Sequence, residues 1–194
     1  MFAIDATASR QPTWDRACHL QQEMFRATRN VAALRVQLCY FRGFNDFFTS
    51  PWLGDSEQLA TTMGRVQCEG GYTQIQRVLR HALEEHNGKA VRALVFIGDA
   101  QEENADTLCD LAGQCGILKL PLFMFQEGRD AAANSCFRRM ASLSGGAFAD
   151  FNHHSADTLA ALLGAVASFA AGGPAALEKQ GSDSAKLLLK QLKH

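Results

Sequence analysis

The chain has 194 residues, 19 Lys+Arg against 20 Asp+Glu, a formal net charge of −1, 47% hydrophobic residues and 20% charged ones. A chain this long buries roughly 70% of its unfolded surface, enough for one substantial core, so one globular domain with a tail is expected. The near-zero charge gives no case for broad nucleic-acid or membrane-surface binding, and 16 Gly with only 4 Pro exclude a Pro-rich linker protein.

Met1-Phe2-Ala3-Ile4 runs straight into Asp5 with no basic segment and no long apolar segment, so no secretory leader is expected. No stretch approaches 18 consecutive apolar residues, and no transmembrane helix is expected. Five apolar runs read as strands: Phe2 to Asp5, Leu34 to Phe41, Ala93 to Gly98, Leu120 to Phe125 and Ala147 to Phe151. Leu94–Ile97 and Leu122–Phe125 are apolar without alternation, as central strands covered on both faces are. The mixed segment Arg42 to Gly54 has room for a short edge strand around Asp46 to Thr49.

Helical patterns lie between the strands. Asp55 or Ser56 caps a helix carrying Leu59, Met63 and Val66. Ile75, Val78, Leu79, Ala82 and Leu83 follow helical spacing, as do Leu108, Leu111, Ala112 and Cys115. Ala133, Cys136, Phe137 and Met140 repeat it, and then Leu159, Leu162, Leu163 and Val166. Strands alternating with helices predict an α/β, Rossmann-like, doubly wound and mostly parallel sheet with helices on both faces. The domain is expected to span residues 1–172. Gly172-Gly173-Pro174 ends its last helix, and residues 173–194 read as a polar linker and a short C-terminal amphipathic helix, docked on the domain or offered to a partner. Six Cys without a C-x-x-C pair read as reduced, buried thiols of a cytoplasmic protein.

In such a sheet, ligands bind at the carboxyl ends of the strands. Asp5-Ala6-Thr7-Ala8-Ser9 places three oxygen-bearing side chains at alternate positions just after the first strand. Asp99 ends Phe96-Ile97-Gly98-Asp99, and Thr73 follows Gly70-Gly71-Tyr72 at the start of a helix. Two carboxylates and three hydroxyls thus come from three loops at one edge, and hard divalent cations take oxygen ligands. Each residue also has a plainer reading. Asp5 and Ser9 suit the cap of a helix near Pro12, Thr73 the N-cap of the helix at Ile75, and Asp99 the cap of the helix carrying Leu108. Gln101, Glu102 and Glu103 read as a solvated acidic first turn.

D-x-T-x-S after the first strand, G-x-T before a later helix and a strand ending in Asp, in that order, resemble a von Willebrand factor type A (VWA) domain. The three pieces look like the metal-ion-dependent adhesion site (MIDAS) of that family, over roughly residues 1 to 170. The resemblance implies Mg²⁺ or Mn²⁺ held by Thr7, Ser9 and Thr73 as hydroxyl ligands, with Asp5 and Asp99 as the carboxylates. It also implies a protein partner whose Glu or Asp completes the metal, in an adhesive role without catalysis. The chain departs from the family in having Thr7 where Ser is commoner, and Gly98 and Ala100 around Asp99. The alternatives are a haloacid-dehalogenase-like phosphatase and a purely structural Rossmann-like domain. The phosphatase needs a second Asp where Thr7 stands. The signatures of P-loop, α/β-hydrolase and zinc-protease sites are missing. His153-His154 read as a solvated loop, and Phe44, Phe47, Phe48, Trp14 and Trp52 as core or edge packing, with Phe44 and Trp52 placed to rim a partner surface.

Overall fold

The computed structural model describes residues 1–10, 34–151 and 156–192. Six strands form one sheet: β1 (Phe2–Asp5), β2 (Leu38–Arg42), β3 (Asp46–Thr49), β4 (Leu94–Gly98), β5 (Leu122–Glu127) and β6 (Ala147–Phe151), in the order β3-β2-β1-β4-β5-β6. All neighbours are parallel except β2 and β3, a hairpin at one edge. Every residue of β1, β4 and β5 is buried, which is why their sequences lack alternation. Several boundaries differ from the sequence reading, β4 starting one residue later and β2 ending one residue later. Pro121 has no N–H for the ladder, so β5 starts at Leu122 and runs on to Glu127. Val36 pairs with Leu53 in an isolated antiparallel bridge, and β2 begins at Leu38.

Helices cover both faces. On one face α1 (Ser56–Met63), α5 (Ala156–Gln180) and α6 (Asp183–Leu192) pack Leu59, Leu162, Leu163 and Leu188 against Phe2, Ile4, Val95, Phe123 and Phe125. On the other, α2 (Ile75–Gly88), α3 (Ala105–Ile117) and α4 (Ala131–Ser144) pack Val78, Leu79, Leu108 and Phe137 against Ala3, Phe41, Phe96 and Met124. Successive strand residues supply the two faces in turn, as the pleat requires. Asp55, Asn104 and Asp130 cap α1, α3 and α4, each side chain accepting a backbone N–H of its helix's first turn.

The C-terminal segment continues this architecture. α5 kinks at Gly172 and Gly173, and the backbone is helical again from Pro174, so the stretch expected as a polar linker is helical as far as Gln180. Leu177, Ala185, Leu188 and Leu189 join the core of the first face. Gln191 closes the open edge of β6: its Oε1 accepts the Phe148 N–H at 2.8 Å and its Nε2 donates to the Phe148 carbonyl at 2.9 Å. One side chain there stands in for a neighbouring strand. Asp157–Gln180 is long and apolar enough to cross a membrane by length and composition, contrary to the expectation from consecutive apolar runs. Its Leu159, Leu162, Leu163 and Val166 lie in the core, while only 33% of its apolar window is buried. Cys39, Cys109, Cys115 and Cys136 are buried free thiols and Cys68 is half-buried, while Cys18 and Trp14 lie outside the described residues.

Candidate functional site

β1 and β4 are adjacent and parallel, so Asp5 and Asp99 leave the sheet at the same end. Ile4 pairs with Ile97, which sets Asp5 level with Gly98. A Cβ on Gly98 would stand in ordinary contact with the Asp5 Cβ at 3.5 Å but 2.8 Å from the Phe96 ring, so any residue other than glycine would have to push that ring aside. Asp5 is fully buried, and its Oδ1 accepts the Thr7 N–H at 2.8 Å. This Asx-type turn bends the chain as it leaves the strand. Residues Ala8–Arg10 then form a turn of 3₁₀ helix. The turn brings Ser9 Oγ to 3.1 Å from Thr7 Oγ1, so the alternate hydroxyls do meet. Asp99 is half-buried, and its Oδ1 is enclosed with no hydrogen-bond partner among the described residues.

Backbone contacts tie the third loop to the first. The Ala6 N–H donates to the Phe41 carbonyl at 2.9 Å, the Glu69 N–H donates to the Ala6 carbonyl at 3.1 Å, and Thr7 bridges Glu69 in parallel register. Residues 69–72 also sit on the β2–β3 turn, where the Tyr72 N–H donates to the Gly43 carbonyl at 3.2 Å. A Cβ on Gly71 would fall 1.7 Å from the Gly43 oxygen, so Gly71 is the residue that lets the two backbones touch. Arg42 lies 3.6 Å from both Asp46 and Glu69 and offsets their charge beside the site.

Thr73 departs from the capping reading. The N-cap of α2 is Gln74, whose side chain makes no capping bond. Acids of the β4–α3 loop take over. Glu102 and Thr73 are reciprocally bonded: the Thr73 N–H donates to Glu102 Oε2 at 2.9 Å, and the Glu102 N–H donates to Thr73 Oγ1 at 3.1 Å. Glu103 accepts the Ile75 N–H at 2.5 Å through Oε2 and the Gln76 N–H at 2.8 Å through Oε1. The orphan N–H groups of one helix are thus satisfied from another loop, where the helix dipole also favours a carboxylate. Burial pushes the Glu103 carboxyl above its ordinary range, against the pull of the two backbone N–H groups and the Thr73 hydroxyl, and the neighbouring Glu102 adds to the rise. The solvated-turn reading of Glu102 and Glu103 is therefore corrected. Asn104 caps α3, so Asp99 is not that helix's cap.

The site accordingly assembles three loops at one edge of the sheet: 5–9 after β1, 69–73 before α2 and 99–103 after β4. Among the described residues, no group of three or more His, Cys, Asp or Glu is placed to hold a metal, so any cation here would rest partly on hydroxyls. His153, His154 and the helix expected near Pro12 lie outside the described residues.

Comparison with known proteins finds no family model and no curated protein sequence that matches. Solved structures match well. The SpRpn10 VWA domain aligns with TM-score 0.61 and 13% identity over 82% of this chain and 93% of its own. The chain has the VWA fold. An aerotolerance-related membrane protein from Bacteroides fragilis, in a form with multiple mutations to serines, aligns with TM-score 0.64 and 15% identity over 84% of this chain and 94% of its own. Proximal thread matrix protein 1 from the mussel byssus, with a zinc-occupied MIDAS motif, aligns with TM-score 0.70 and 11% identity over 86% of this VWA-fold chain and 44% of its own.

Proposed function

We propose that the chain is a metal-dependent protein-binding module of the cytoplasm. Mg²⁺ or Mn²⁺ would be held by Thr7, Ser9 and Thr73 together with Asp5 and Asp99, and would engage a Glu or Asp of a partner protein. The observation that carries this reading is the enclosed Asp99 Oδ1, which has no hydrogen-bond partner among the described residues. A buried carboxylate oxygen is costly unless something cationic or protic meets it. The meeting of the Thr7 and Ser9 hydroxyls supplies neutral oxygens of the kind hard cations accept. Neutral hydroxyls cancel little of a cation's charge, which leaves it seeking one more anionic oxygen. A zinc-occupied MIDAS in the mussel protein, which shares the fold, supports divalent-metal binding as a use of this fold.

Thr7 occupies the position where a phosphatase of the alternative class needs its general-acid Asp, which favours binding over catalysis. The formal charge of −1 gives no broad field for nucleic acid or an anionic membrane, so the bound cation would be the feature that attracts an acidic partner. Buried free thiols suit a reducing compartment.

Thermal unfolding with and without millimolar Mg²⁺ or Mn²⁺ tests the reading. A cation present at about 100 times its Kd adds about 2.7 kcal/mol, or roughly 5–10 °C in Tm for a chain of this size. Asp5→Ala and Asp99→Ala should each abolish the shift, whatever they do to the baseline Tm. A wild-type Tm that ignores both cations would overturn the proposal.

A further inference from the structure

Two large aromatic side chains stand out beside this edge of the sheet. Phe44, in the β2–β3 turn, is 73% exposed, and Tyr72, directly before Thr73, is 60% exposed. Their rings meet edge to face at 5.5 Å. Neither is a loose loop residue. The two turns are locked backbone to backbone by the Tyr72 N–H on the Gly43 carbonyl, by the Gly43 N–H on the Glu69 carbonyl and by the close approach at Gly71. The other exposed large apolar residues lie apart from the pair: Phe48 on β3 stacked on Tyr40, Ile117, Leu118 and Leu143 where α3 and α4 end at the opposite edge of the sheet, and Leu187 on α6.

An aromatic ring brings 150–250 Å² of surface to an interface and loses little entropy when its support is already rigid. We propose that Phe44 and Tyr72 form an apolar foothold beside the cation site, for a partner protein segment that carries a bulky apolar side chain close to its acidic residue. The inference rests on the metal-dependent reading and adds a second contact to it. Continuity with the cation site identifies the occupant, since Tyr72 and Thr73 are consecutive in the chain. The charges nearby agree. Glu69, Asp46 and Glu102 are exposed around the pair, with Arg42 beside the first two and Arg77 on the Asn45 carbonyl, so the patch has no surplus of positive charge and an anionic lipid surface is disfavoured. A segment with one carboxylate for the metal and one apolar side chain for the rings satisfies both demands.

A phage-displayed library of random dodecapeptides, bound in Mg²⁺ and eluted with EDTA, is the test. The eluted peptides should share an Asp or Glu with a Phe, Tyr, Trp, Leu, Ile or Met within a few residues. The strongest of them should lose about tenfold or more in affinity on a Phe44→Ser/Tyr72→Ser double variant, an effect on the scale of a buried aromatic anchor. That variant should keep the wild-type Tm shift with Mg²⁺, because neither residue is a proposed ligand. Acidic peptides with no apolar neighbour, or equal affinity for the double variant, would overturn the foothold while leaving the cation reading intact. A library that yields no EDTA-eluted peptide would overturn the foothold too, and the Tm shift then decides separately whether the cation reading stands.

Discussion

Removing the Glu103 carboxylate tests how the site is braced. Glu103→Ala leaves the Ile75 and Gln76 N–H groups at the start of α2 without their acceptor, and no side chain of α2 replaces it, because Gln74 makes no capping bond. Losing a helix-capping acceptor costs about 0.5–2 kcal/mol, and bonds to a charged acceptor reach about 1.5–3 kcal/mol each. Two effects keep the sum toward the lower end. Glu103 is only half-buried, so water reaches part of the gap. Burial also raises its carboxyl above the ordinary range, so alanine removes an ionisation penalty along with the bonds. The working figure is about 2 kcal/mol, or roughly 4–8 °C in Tm at this chain length. Glu103→Gln keeps one carbonyl oxygen and should lose about half as much. The assay is urea and thermal unfolding of both variants, with exposed Glu84→Ala as the control. A Glu103→Ala variant within about 0.5 kcal/mol of wild type would refute the bracing argument, as would a glutamine variant no better than alanine.

Three further outcomes are expected. Gly71→Ala puts a Cβ 1.7 Å from the Gly43 oxygen and must push the 69–73 loop off the β2–β3 turn; a loss of about 1–3 kcal/mol is expected by urea unfolding, together with a smaller cation-induced Tm shift, and wild-type values for both would contradict it. Gln191→Ala strips both bonds from the buried Phe148 backbone at the β6 edge and should cost about 1–2 kcal/mol in the same assay; an unchanged midpoint would show that α6 holds the edge by apolar contact alone. Burial pushes the Cys39 thiol up to about 12, well above the ordinary thiol range. The folded state therefore keeps a proton that the unfolded state releases, so this contribution is whole below the unfolded pKa and is lost as pH rises from about 9 to 12, by at most about 1.4 kcal/mol per pH unit. Unfolding free energies between pH 8 and 10.5 should fall more steeply in wild type than in Cys39→Ala, and equal slopes would remove the thiol from the account.

Much of the fold was legible because its causes are local. β4 and β5 are apolar without alternation since both faces are covered, and the helical stripes of α2, α3 and α4 name the residues that are buried. β3 showed through Phe47 and Phe48 despite its polar surroundings. The misjudged boundaries also have local causes. Pro121 delays β5, and Val36 belongs to a bridge with Leu53 rather than to β2. At the site, the rule that ligands sit at strand ends was enough to single out Asp5 and Asp99, and alternate spacing pointed to Thr7 and Ser9.

Contacts between loops far apart in sequence were not legible. Thr73 is 29 residues from Glu102, and Ile75 is 28 from Glu103. Two acids before a helix carry the same pattern whether they face water or cap a neighbour. One signal was present: Gln74 is a poor N-cap, and a helix that starts badly must find acceptors elsewhere. The Phe44–Tyr72 pair was hidden for the same reason, since the close approach at Gly71 decides it and a lone Gly-Gly reads only as a turn. These unread contacts form one assembly. Glu103 fixes the start of α2, Glu102 fixes Thr73 just before it, and Gly71 fixes Tyr72 against the β2–β3 turn. The position of the Thr73 hydroxyl is therefore set by the 99–103 loop that also carries Asp99. A change at Glu102 or Glu103 should move two proposed ligands together, whereas a change at Ser9 should move one. The ratio of lost cation affinity to lost stability across those variants would distinguish a braced site from a set of independent caps.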